Sequence, residues 1–278
     1  MGELRDEEIE DLLGAIYSRY QEDFRAYARP SLRRRVASAL SRFGCATVQE
    51  LRDRVLDDGL AYHEMLGFLT VQVTEMFRDP AFFRAVRREV VPFLATYPSI
   101  RVWVAGCASG EEAYALAILL REEGLLDRSF IYATDVEPSA LRRAREGIYP
   151  VSRVPAFSRA YLAAGGRGSL SQHYTAGYGA VVFDRALRCR ILFAHHSLAT
   201  DAVFSEVQLV TCRNVLIYFA AQLRERALDL FGDALVHGGF LGLGSRETLG
   251  SSAHRSAFQE IDREQRLYRR RDAHRERA

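Results

Sequence analysis

Along the first 95 or so residues, apolar positions recur every three or four places. Ile9, Leu12, Leu13, Ile16, Tyr17 and Tyr20 form one such stripe, and Leu32, Val36, Leu40 and Phe43 form a second that Gly44 ends. That spacing puts side chains on one face of an α-helix, and a glycine just past the last repeat is a helix stop. Further helical patterns cover 48–56, 62–73 and 80–94. Together they predict an all-helical N-terminal domain with its linker over residues 1–97, bounded near Pro98.

From Ile100 onward the rhythm changes. Short apolar runs at 101–105, 130–134, 189–194, 207–212 and 239–243 are interleaved with helical patterns at 111–123, 138–146 and 221–236. Alternating strands and helices predict an open, mostly parallel sheet with helices on both faces, occupying 98–278. A last run at 266–269 follows a short linker and is expected to pair antiparallel, with a disordered charged tail from Arg269. Residues 150–187 carry Gly165, Gly166, Gly168, Gly177 and Gly179, and read as an irregular insertion with a small hairpin. The fold class is thus α/β, Rossmann-like, with an all-helical N-terminal domain and a small β insertion.

Composition narrows the partners. The chain has 278 residues, 48% of them hydrophobic, which is enough for full cores. Its 38 Lys and Arg nearly balance 36 Asp and Glu, so a bulk attraction to nucleic acid or to a membrane surface is not expected, and electrostatic docking must be local. Cys45, Cys107, Cys189 and Cys212 are scattered, without the paired spacing of a zinc site or a disulfide framework. They read as reduced cysteines of a cytoplasmic protein, with no metal. Neither a signal sequence nor an apolar run near the roughly 18 residues of a membrane span is recognisable.

The candidate chemistry begins at residues 102–118, where an apolar strand passes through Gly106 and Gly110 into a helix opening with Glu111 and Glu112. Such a turn normally suits phosphate, because free N–H groups and the helix dipole face the ligand. Two carboxylates there oppose a pyrophosphate. They suit a ligand with a positive charge and hydroxyl donors, such as the sulfonium, amino group and ribose of S-adenosylmethionine, although acidic residues also favour any first helical turn. Asp135 closes the second strand, where a carboxylate can accept hydrogen bonds from ribose or simply open the next turn. A dinucleotide ligand would call for Gly-x-Gly-x-x-Gly, which residues 106–110 do not supply. After the fourth strand, Arg213, Asn214 and Tyr218 interrupt an apolar run. On their own they fit a capped turn with a core tyrosine as well as they fit a site.

With these residues in view, the chain closely resembles the CheR family of chemoreceptor glutamate methyltransferases. The matching blocks are Thr74-Glu75-Met76-Phe77-Arg78-Asp79-Pro80, the turn from Ala105 to Tyr114, Ala133-Thr134-Asp135, Cys212-Arg213-Asn214-Val215-Leu216-Ile217-Tyr218-Phe219, and Gly238-Gly239-Phe240-Leu241 through Ser245-Arg246-Glu247. The resemblance implies a methyl transfer from S-adenosylmethionine to glutamate side chains of receptor coiled coils, yielding S-adenosylhomocysteine. It implies that Thr74 and Arg78 lie in the linker closing over the cofactor, and that Gln72, Gly106, Glu112, Asp135, Ser197, Leu198, Arg213 and Asn214 belong to the cofactor site. It places Tyr218 near the transferred methyl, with Arg78 orienting substrate or cofactor. The partners implied are cytoplasmic methylation helices of receptors, met by a monomer.

The same resemblance implies that the basic helix bearing Arg33, Arg34, Arg35 and Arg42 docks against acidic receptor helices; alone, it would read as a solvated face. The chain departs from the family pattern in having Gln72 and Ser197 where asparagine is usual, and Ala113 and Ala115 for proline and serine, so cofactor affinity is expected to differ. Some members grip a receptor's terminal peptide with a hairpin. Here the hairpin region, 174–187, is short, which argues against such tethering. Two further readings are a catalytically weak, receptor-binding regulatory module and a small-molecule methyltransferase. The basic helical domain, which a small-molecule enzyme would not need, disfavours the latter.

Overall fold

The computed structural model describes residues 4–70, 74–250 and 252–271. Four helices form the N-terminal module: α1 (Asp6–Tyr20), α2 (Arg29–Phe43), α3 (Val48–Asp57) and α4 (Gly59–Leu69). The two sequence stripes are its interior, with Ile9, Leu12, Leu13, Ile16, Leu32 and Val36 all fully buried. Gly44 ends α2 in the left-handed conformation at φ 65°, donating its N–H to the Leu40 carbonyl. Thr47 caps α3, and Asp58 caps α4 by accepting the Leu60 N–H at 2.8 Å. That cap starts α4 three residues ahead of its apolar pattern. The expected extension through 71–73 lies outside the described residues.

The second unit is a seven-stranded sheet in the order β6-β2-β1-β7-β8-β10-β9. Its strands are β1 (Ile100–Ala105), β2 (Ser129–Asp135), β6 (Ile191–His195), β7 (Val207–Cys212), β8 (Leu235–Leu243), β9 (Phe258–Asp262) and β10 (Leu267–Arg270). The first five are parallel neighbours and β10 pairs antiparallel with β8, as the sequence led us to expect. Central strands of such a sheet are covered on both faces, which accounts for the unbroken burial of β7. Helices α7 (Glu111–Glu122), α8 (Pro138–Glu146) and α11 (Ala221–Ala234) follow their strands. Strand β9 was not anticipated, because its sequence Phe-Gln-Glu-Ile-Asp is mostly polar and buries only Phe258. Arg269, where the tail was expected to begin, lies in β10 and pairs with both β8 and β9, and residues 272–278 lie outside the described residues.

Helix 80–94 packs differently from the sequence expectation. It consists of α5 (Pro80–Ala85), a π-turn (Val86–Val90) and α6 (Val91–Leu94), the π-turn closing with the Val91 N–H on the Val86 carbonyl just before Pro92. Phe82, Phe83, Val86, Val90 and Leu94 join the sheet core, whereas the helical module has its own core ending at Leu69. The packing boundary therefore falls between Leu69 and Met76, not near Pro98. The helical amphipathicity of 80–94 is the same whether its apolar face meets a helix or a sheet, so sequence periodicity could not assign it.

The insertion is more ordered than its glycines suggested. A three-stranded antiparallel sheet is formed by β3 (Ile148–Pro150), β5 (Ala180–Phe183) and β4 (Tyr174–Gly177), α9 (Val154–Ala163) lies between β3 and β4 in sequence, and α10 (Arg185–Arg188) returns the chain to β6. The hairpin turn lies at Tyr178 and Gly179, both with positive φ.

Candidate active site

At the carboxyl edge of β1, Gly106 turns the chain at φ 74°, and the N–H groups of Gly106 and Cys107 both reach the Thr134 carbonyl, at 2.8 and 2.9 Å. The turn is thereby locked to the end of β2. A Cβ on Gly106 would lie 2.4 Å from Val215 Cγ2, so only glycine lets the two loops approach. The two glutamates that follow diverge. Glu111 is fully buried, accepting from Ser109 Oγ at 2.8 Å and Arg153 Nη1 at 2.5 Å; burial raises its pKa despite those bonds. Arg153 also donates to the Thr74 carbonyl at 2.7 Å, tying the insertion to the linker. Glu112 faces the cleft, with Oε2 3.0 Å from Arg213 Nη1.

Asp135 opens the next turn, one of the two roles that its position suggested. Its Oδ1 accepts the Glu137 N–H at 3.0 Å, opening the turn into α8, while Oδ2 accepts the Ala108 N–H at 2.8 Å across the glycine turn. It also lines the cleft. Burial pushes its carboxyl pKa up, and the backbone N–H groups oppose that shift.

Arg213, whose side chain is 1% exposed, leaves β7 and clamps three segments. Besides Glu112, it reaches Asp79 Oδ2 at 2.7 Å and the Arg78 carbonyl at 3.0 Å, and it stacks over the Phe82 ring at 4.3 Å. Asn214 follows at φ 63°, a conformation asparagine tolerates better than most residues. The chain then runs to Tyr218 around the carboxylate of Glu247.

The helical module supplies the opposite wall, which the sequence reading did not anticipate. Its connector between α1 and α2 is stitched to the Tyr218 segment: Ala28 N–H donates to the Tyr218 carbonyl and Ala220 N–H to the Ala26 carbonyl, both at 2.8 Å. Glu22, Asp23, Phe24 and Tyr27 consequently line the cleft. These residues sit between two apolar stripes, and nothing in local spacing marks them as a site. Glu22 Oε1 lies 2.6 Å from His195 Nε2 and holds the imidazole pKa above its usual value.

Arg35 does not share the exposed docking face expected of the basic helix: it is only 6% exposed, because it lies one residue before Val36 on the buried side of α2. Its Nη1 donates to the Leu69 carbonyl, and its guanidinium lies over the Tyr218 ring inside the cleft. Arg33, Arg34 and Arg42 are exposed, Arg33 pairing with Asp6 at 2.9 Å and Arg42 with Glu64 at 2.8 Å.

The resulting cleft measures about 1030 Å³ including its open mouth, and brings together Thr74, Arg78, Gly106, Glu112, Asp135, Ser197, Leu198, Arg213, Asn214 and Tyr218. Gln72 lies outside the described residues. Carboxylates from Glu22, Asp23, Glu75, Glu112 and Asp135 outnumber the guanidiniums of Arg35, Arg78 and Arg213 in its lining. That balance fits a cationic ligand with hydroxyl donors, with Asp135 offering lone pairs at the strand edge.

The comparisons agree with this geometry. Residues 72–266 match the CheR methyltransferase S-adenosylmethionine-binding domain, and residues 7–70 match the CheR methyltransferase all-alpha domain. Cher3 of Pseudomonas putida is 52% identical over 264 residues, covering 95% of this chain and 97% of that protein. The chemotaxis protein methyltransferase of Listeria innocua is 30% identical, covering 82% and 84%. Chemotaxis protein methyltransferase 1 of Pseudomonas aeruginosa is 30% identical, covering 78% and 81%. The protein belongs to the CheR methyltransferase family, and its cofactor is S-adenosylmethionine.

Proposed function

We propose that this protein transfers the methyl group of S-adenosylmethionine to glutamate side-chain carboxylates of methyl-accepting, chemoreceptor-like proteins, forming glutamyl methyl esters in sensory adaptation. One observation carries the substrate assignment. Within the cleft, Arg35 Nη2 is buried without a hydrogen-bond partner among the described residues, beside Tyr218. A buried, unsatisfied guanidinium N–H is costly, and a carboxylate entering from the substrate would satisfy it.

The bound cofactor supplies an electrophilic methyl on a sulfonium. Glu112, Asp135, Asn214 and the Gly106 turn are assigned to holding it, with Thr74, Ser197 and Leu198 around it. An exposed glutamate has a pKa of about 4.3, so its carboxylate arrives ionised at neutral pH and no general base is needed. The chain's task is then alignment and exclusion of water. Arg35 and Arg78 orient the carboxylate, and the Tyr218 hydroxyl positions by hydrogen bonding. The exposed Arg34, with Arg33 and Arg42, forms the outer docking face for acidic receptor helices.

The test is transfer of labelled methyl from S-adenosylmethionine to a receptor cytoplasmic fragment, followed by alkaline release of volatile methanol. Base-labile label on the fragment supports a glutamyl ester. Cofactor binding without any base-labile product on the cognate receptor would instead mean a receptor-binding regulatory module.

A further inference from the structure

Glu247 is 3% exposed yet takes no part in lining the cleft. It is placed just beyond β8, at the sheet edge that carries the site, and among the described residues its carboxylate accepts from backbone amides. Oε2 accepts the N–H groups of Gly244 at 2.6 Å and Asn214 at 3.0 Å. Oε1 accepts those of Val215 at 2.8 Å and Ile217 at 3.3 Å. Three of these four amides belong to the turn between Arg213 and Tyr218. Leu216–Tyr218 closes as a single 3-10 turn, but Arg213–Val215 ahead of it have no regular structure, and Asn214 is held there at positive φ. The carboxylate at the centre joins these two halves to the end of β8.

The local sequence is fitted to that side chain. A Cβ on Gly244 would fall 2.6 Å from Glu247 Oε2 and 2.8 Å from the Asn214 nitrogen, so glycine is needed for the strand end, the carboxylate and the turn to converge. The same turn presses Val215 against Gly106, which couples it to the cofactor loop.

We propose that Glu247 is a positioning residue for methyl transfer. By gathering the amides of Asn214, Val215 and Ile217 it fixes where Arg213, Asn214 and Tyr218 stand in the cleft, without touching cofactor or substrate. The inference rests on the functional reading above only for Tyr218's place near the transferred methyl.

Glu247→Gln tests it, because the amide keeps the volume but replaces one acceptor oxygen with a donor facing two N–H groups. Glu247→Asp keeps the charge with shorter reach, and Leu228→Ala, a fully buried site on α11, serves as a purely structural comparison. Three quantities are measured: hydrogen exchange at Asn214, Val215 and Ile217, S-adenosylhomocysteine affinity by calorimetry, and kcat and KM on a receptor fragment. In Glu247→Gln, exchange at those amides and the dissociation constant should each rise about tenfold or more, with kcat falling further than KM rises. Glu247→Asp should recover part of both. Leu228→Ala should lower the melting temperature while leaving affinity and kcat within about twofold. Glu247→Gln with wild-type exchange and affinity would overturn the proposal, as would an equal loss of affinity in Leu228→Ala. Should the wild-type protein methylate no receptor fragment, the functional reading falls, while exchange and cofactor affinity still decide the role of Glu247.

Discussion

The guanidinium carbon of Arg35 lies 4.8 Å from the centroid of the Tyr218 ring, so the N-terminal helical module and the turn after β7 share one wall of the cleft. With its Nη1 anchored on the Leu69 carbonyl, the guanidinium cannot swing freely to solvent. Arg35→Lys keeps a cation but loses the planar fork. It should lower kcat/KM on a receptor fragment by about 10- to 100-fold, the worth of a charged hydrogen bond, while S-adenosylhomocysteine affinity stays within about threefold. Steady-state kinetics and calorimetry together check this. A parallel fall in cofactor affinity would move Arg35 from substrate to cofactor.

Gly106→Ala faces two separate obstacles: a backbone at φ 74°, and a Cβ 2.4 Å from Val215 Cγ2. Positive φ costs a non-glycine residue about 1 kcal/mol or more, and overpacking adds about 1–3 kcal/mol. The single substitution should lower stability by about 2–4 kcal/mol and weaken cofactor binding. Adding Val215→Ala should restore the steric part and leave the backbone part. Denaturant unfolding of both single variants and the double variant measures the coupling, and strict additivity would show that the contact is not what excludes a side chain.

Much of this architecture was legible because periodicity reports burial directly. The stripes of α1 and α2, the alternating strands and helices, and the glycine turn into Glu111 and Glu112 each show in their own spacing which face is buried or where the chain turns. The rest depended on contacts distant in sequence. Whether Arg35 faced solvent or the cleft turned on α4 and on Tyr218, which lie far along the chain. Glu22 and Asp23 became cleft residues only through the bridge between Tyr27 and Phe219. Glu247 stood in a recognised block, yet its four backbone partners could not be inferred from that block alone. The separate fates of Glu111 and Glu112 likewise needed Arg153 and Arg213, one from the insertion and one from β7.

Arg213 is the strongest electrostatic commitment in the site, with a side chain 1% exposed and two carboxylate partners. Removing it leaves Glu112, 15% exposed, uncompensated, whereas Asp79, 42% exposed, can be met by water. Arg213→Met, close in length but neutral, should destabilise the fold by about 1–3 kcal/mol, less than breaking a fully buried pair does. The additional replacement Glu112→Gln should recover part of that stability but none of the activity, since Glu112 is also assigned to the cofactor. Thermal unfolding of the two variants, read beside S-adenosylhomocysteine binding, separates the structural loss from the functional one.

The ion pair of His195 with Glu22, at 2.6 Å, latches the helical connector to the end of β6 and should make that latch depend on pH. The hydrogen bond to Glu22 raises the His195 pKa above its ordinary value of about 6.5. The folded protein therefore binds this proton more tightly than the unfolded chain. The pair's stabilisation is complete below the unfolded pKa and is lost as pH rises through the higher folded one. With the His195 side chain 45% exposed, solvent screening limits the effect to under about 1 kcal/mol. The stability gap between wild type and His195→Gln should accordingly be largest near pH 6 or below and vanish by about pH 9. Urea unfolding across that range measures it, and Glu22→Gln should remove the same pH dependence. A gap that does not change with pH would mean that the contact acts through packing and not through the proton.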